Sequence, residues 1–115
     1  DSLRPMSDQR SHYRILYPTA ERPHVVAWGA THDVMDLAET GMRFLLRAPE
    51  PTLLPGATFS GKLLVRDEPP LDISGTVVRV HGHEVAVRFE PGGAVPFRVI
   101  LAEQRYLRAN YPLLR

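Results

Sequence analysis

The sequence predicts a mainly all-β domain: a small antiparallel barrel of about six strands, with a flexible N-terminal arm and one C-terminal α-helix. Three observations predict it. Gly 8 and Pro 11 punctuate the 115 residues at short intervals, as the turns of a many-stranded protein do. The runs between them alternate apolar and polar residues, the pattern of half-buried antiparallel strands. One late segment changes to helical spacing.

Taken in order, residues 1–12 show no apolar periodicity and read as a polar arm, with 1–8 as a flexible segment. Asp1 to Pro5 read as an expression remnant, with Met6 as the native start. In 41–47, Met42, Phe44 and Leu46 share one face and Arg43 and Arg47 the other. Pro55-Gly56 is a turn ahead of 58–66, where Phe59, Leu63 and Val65 oppose Ser60, Lys62 and Arg66. Residues 75–80 are rich in β-branched side chains, which suit strands. His81-Gly82-His83 is a hairpin turn into 84–89, where Val85, Val87 and Phe89 align. From Pro96 to Ala109, Phe97, Ile100, Leu101 and Leu107 fall at helical spacing, and Pro112 blocks continuation. The domain therefore spans 9–110, with 111–115 as a tail. Closing the sheet on itself hides its edges.

Composition excludes several functions. Lys+Arg 14 against Asp+Glu 13 leaves a net charge of +1, which argues against a surface that grips DNA, RNA or an anionic membrane through bulk charge. With Cys 0 there is no disulfide, thiolate metal site or Cys nucleophile. No apolar run approaches the ~20 residues of a membrane span, and no secretory signal opens the chain, so the expected location is the cytoplasm. Among the 14 cations only Lys62 is Lys; Arg suits bidentate recognition of phosphate and guanine.

Three motifs are decoys. Gly56 to Leu63 has the glycine and lysine spacing of a P-loop, but Leu63 replaces the Ser/Thr that binds magnesium, and a strand-like run follows instead of a helix. His81 and His83 lie two apart, without a carboxylate at ligand spacing, so no metal site is expected. His32-Asp33 lacks a nucleophile elbow. Neither an enzyme nor a cofactor is expected.

A fourth constellation carries more chemistry. Arg10 and Arg14 lie four apart, and Asp36-Leu37-Ala38-Glu39-Thr40-Gly41 leads into the strand at Met42. Two guanidiniums offer planar forks of donors to phosphates and to guanine O6 and N7. A carboxylate at Asp36 can accept from guanine N1–H and the exocyclic amine. Gly41, without a side chain, permits a tight turn or close approach.

These two motifs, in this order, resemble the PilZ family, which carries Arg-x-x-x-Arg near its N terminus and then Asp/Asn-x-Ser/Ala-x-x-Gly. The strand Met42-Arg43-Phe44, the turn Pro55-Gly56, the late hairpin Gly75 to Phe89 and a final helix follow the same outline. The resemblance implies a six-stranded antiparallel PilZ-type barrel that binds cyclic di-GMP, a bacterial second messenger. It implies that Arg10 and Arg14 clamp the ligand, Asp36 bonds a guanine edge, Ala38 lines the site in the place often held by Ser, and Gly41 makes the turn. Arg79, on a neighbouring strand, is a secondary candidate. The implied role is a receptor or adaptor in the bacterial cytoplasm, of the kind that governs motility or biofilm, whose arm orders on binding and signals to a protein partner. The alternative is a PilZ-like interaction domain that serves pilus or motility machinery without nucleotide.

Overall fold

The computed structural model describes residues 14–48 and 52–112. Within them lie β1 (Arg14–Leu16), β2 (His24–Ala27), β3 (Ala30–Ala38), β4 (Gly41–Leu45), β5 (Thr58–Leu64), β6 (Leu71–His81), β7 (Glu84–Phe89) and helix α1 (Phe97–Asn110). The sheet order is β1-β3-β2-β5-β6-β7-β4, and a further β3–β4 pairing closes the barrel. Six strands form the ring and β1 is an extra one. The first half of β3, Ala30–Asp33, pairs with β2, and its end, Asp36–Ala38, pairs with β1. Thus β1 and β2 share one edge of β3, end to end.

The expected alternation builds the core. Val25, Val34, Phe44, Phe59, Leu63 and Val85 are all fully buried inside the ring. The turn from β6 to β7 uses Gly82 at φ +64, a conformation that glycine adopts without a steric penalty. Strand β6 is longer than the run 75–80. The P-loop-like segment runs straight into β5. His32 and Asp33 point to opposite faces of β3, the first buried and the second exposed. His32 donates from Nε2 to the Ala27 carbonyl at 3.0 Å and accepts the Arg47 N–H at Nδ1, also at 3.0 Å. Trp28 stands over the barrel core, its ring 5.6 Å from Phe59 and 6.1 Å from Phe44.

Two stretches depart from the sequence reading. Arg14, which the first motif ties to the polar arm through Arg10, opens a paired strand. Its neighbours explain this: Ile15 and Tyr17 are buried, so this short run has apolar anchors on one side. The polar arm at 1–12, and Arg10 with it, lies outside the described residues. The second departure is on α1, where the buried stripe is Val99, Ile100, Glu103 and Leu107. Glu103 is the one charged residue in this stripe. It is buried because the Tyr17 hydroxyl donates to it at 2.7 Å and Arg66 Nε reaches it at 3.3 Å. Arg66 also lies 3.5 Å from the centre of the Tyr106 ring. This cluster fastens α1 to the residue that follows β1.

Two bulges set the outer surface. The β3–β4 register slips between Val34 and Asp36, and the β6–β7 register slips between Val77 and Arg79. Each adds one residue and reverses which face the rest of the strand presents. Without the first, Asp36 would follow Val34 into the core. With it, Leu37 faces Met42 inside, and Asp36 lies outside opposite Arg43.

Candidate ligand-binding site

The second motif is a hairpin. Asp36 to Ala38 end β3, Glu39 and Thr40 bend, and Gly41 opens β4. The Asp36 side chain is 0% exposed although it belongs to the outer face, because arginines cover it. Arg14 Nη1 donates to its Oδ1 at 2.6 Å, and Arg43 Nε donates to its Oδ2 at 2.5 Å. Arg43 Nη1 also donates to Glu84 Oε2 at 2.6 Å. A buried carboxylate is tolerated only with such donors. The same bonds, that to Asp36 foremost, raise the Arg43 pKa above the ordinary arginine value.

Beside this chain of ion pairs is an open cavity of about 460 Å³. Arg14, Asp36, Gly41 and Arg79, all candidates from sequence, line it, together with Arg43, Ala86 and Arg88. Thus Arg14 of the first motif and Asp36 and Gly41 of the second, some twenty residues apart in the chain, meet at one surface. Arg10 lies outside the described residues. Ala38 is 1% exposed, opposite Arg14 in the β1–β3 register, and is not among the lining residues. Gly41 serves close approach: a Cβ there would collide with the Val87 carbonyl oxygen of β7.

Arg43, Arg88 and Glu84 were not singled out by sequence as parts of a site. Arg43 and Arg88 sit at polar positions of alternating strands, which marks them as outward-facing. Nothing in the alternation says which outward positions share one side of a closed barrel. The register supplies that: Gly41 pairs with Arg88, and both Arg43 and Arg79 pair with Ala86. The small residues Gly41 and Ala86 form a floor flanked by arginines.

Electrostatically the site holds more cation than anion. Such a surface, with planar donors and a recessed acceptor, can take a planar heterocycle bearing phosphate.

The family model described as PilZ domain matches residues 8–105. The chain is similar to the solved "PilZ domain with c-di-GMP of YcgR from Escherichia coli", with TM-score 0.71 and 17% identity, covering 89% of this chain and 96% of that one. It is also similar to an uncharacterized protein from Legionella, with TM-score 0.60 and 12% identity, covering 84% and 98% respectively. No curated protein matches the chain. At these identities the structural likeness speaks for the fold.

Proposed function

This chain belongs to the PilZ family, and on that premise we propose that it is a cyclic di-GMP receptor or adaptor module of the bacterial cytoplasm and not an enzyme. The observation that carries this reading is the contact between Arg14 and Asp36 at the rim of the cavity. It unites the two motif halves with the chemistry a guanine nucleotide needs. The family and the structural likeness to the YcgR domain support the same ligand class.

In this reading Arg14 is the mobile partner. Its side chain is 47% exposed and one bond holds it to Asp36. On binding, it turns to guanine O6/N7 or a phosphate, which frees Oδ1 of Asp36 to accept from guanine N1–H and the exocyclic amine. Arg43 stays in place and keeps Oδ2 satisfied. Arg10 closes over the ligand, so binding orders the arm ahead of β1 and alters the surface shown to a protein partner.

Calorimetric titration with cyclic di-GMP tests the proposal. The unmodified protein should bind, and Arg10→Ala, Arg14→Ala and Asp36→Ala should each weaken binding roughly ten- to a hundredfold, the worth of a charge-assisted hydrogen bond. Absence of heat at high micromolar ligand would refute the receptor reading. Unchanged affinity in all three variants would move the ligand elsewhere on the barrel.

One observation favours a second reading, an interaction domain that works without nucleotide. Both Asp36 oxygens are already satisfied by protein donors, as in a purely structural ion pair. The same titration separates the two.

A further inference from the structure

Within the cavity the arginines are not equivalent. Arg14 and Arg43 are matched by Asp36, and Arg43 also by Glu84. Arg79 and Arg88 line the same cavity, are exposed, and have no acidic partner among the described residues. The positive charge left over at the site therefore belongs to the β6–β7 hairpin. It does not come from Arg14, the described arginine of the first motif.

We propose that Arg79 and Arg88 form a phosphate clamp, and that Arg14, Asp36 and Arg43 serve base recognition. This inference rests on the cyclic di-GMP reading and divides the labour within that site. Arg79 pairs with Ala86, and Arg88 is two residues further along β7, so the two guanidiniums are diagonal neighbours with backbones roughly 7–8 Å apart. Between them and the ion-pair chain lies the floor of Gly41 and Ala86, where no long side chain of the described residues intervenes. The β6 bulge is what turns Arg79 to this face, which Arg88 already shares by the alternation of β7. It leaves Val78 and Arg79 as consecutive exposed residues, so Val78, 40% exposed and lining the cavity, adds an apolar surface next to the cation.

Two like charges on one face of a hairpin, without an acidic partner among the described residues, repel each other, and a bridging anion relieves this. A cyclic dinucleotide carries two phosphodiester charges, one for each of these two arginines. Neither arginine supports the core, so removing one leaves the fold intact and can even ease it.

The test is calorimetric titration of cyclic di-GMP at low and high salt, with thermal midpoints recorded for each variant. Arg79→Ala and Arg88→Ala should each lower affinity about tenfold or more and flatten its salt dependence, because one salt-screened charge pair with a phosphate is lost. Arg88→Lys should keep much of the salt dependence. Midpoints without ligand should be unchanged or slightly higher. Affinity and salt dependence like those of the unmodified protein would overturn the clamp and leave the receptor reading standing. A lowered midpoint in Arg88→Ala would make that residue structural and overturn the clamp as well. If the unmodified protein does not bind, the receptor reading fails first and the clamp with it.

Discussion

Removing Asp36 and removing its two arginines are different perturbations. Asp36→Ala leaves Arg14 and Arg43, which are 47% and 30% exposed and can turn to water. Its cost should be moderate, about 1–3 kcal/mol. Arg14→Ala combined with Arg43→Ala leaves a carboxylate buried without a partner, a loss of about 3–5 kcal/mol. Chemical denaturation followed by Trp28 fluorescence should rank the double arginine variant below Asp36→Ala; the opposite order would refute this account of the ion pair. Gly41→Ala should lower stability by about 1–3 kcal/mol, the usual penalty of overpacking, because the atom it meets is the backbone carbonyl of Val87, which cannot move aside as a side chain would. A thermal midpoint equal to that of the unmodified protein would show that β7 gives way. Sequence could name Asp36 and Gly41 as a motif. It could not show that the acid would be wholly covered, since the covering groups come from β1 and β4.

At the scale of elements, β1 is the clearest case. Three residues long, it lies outside the closed ring and carries Arg14 at one end, while Tyr17, just beyond it, reaches Glu103 on α1. Burial and the adjacent Glu103 carboxylate push the Tyr17 pKa far above the ordinary tyrosine value. The sign follows from linkage: the unfolded chain loses this proton near pH 10, while the folded protein retains it. Stability should therefore be independent of this group below about pH 10 and fall above it. Tyr17→Phe should lower stability by about 1–3 kcal/mol at neutral pH, since Glu103 loses a donor, and should flatten the alkaline fall. Thermal midpoints of both proteins between neutral and strongly alkaline pH check it; parallel profiles would contradict it. The helix was legible from its periodicity, whereas its buried acid was not. Periodicity sorts residues by polarity, and Glu103 is placed by two partners distant in sequence.

For the whole molecule, the barrel matters because closure brings β3 and β4 beside β7 and β6. Four arginines from four strands then line one cavity in a chain whose net charge is only +1. Ligand that binds only the folded state stabilises it by mass action, by about 2.7 kcal/mol when present at a hundred times its dissociation constant. Cyclic di-GMP should thus raise the thermal midpoint of the unmodified protein, and the shift should shrink in Arg14→Ala. An equal shift in both would separate Arg14 from the ligand.

The sequence by itself determined the barrel class, the late hairpin, the helix and the two motifs, because each is written in local periodicity or in residues close together in the chain. The tertiary structure alone decided which outward residues share a site. Two bulges reverse the facing of β3 and β6, and no local pattern announces a bulge whose partner strand is unknown. The ring then sets Arg43, Arg79 and Arg88 around Gly41 and Ala86 through pairings between strands. Those pairings depend on register, and register is a property of the closed sheet.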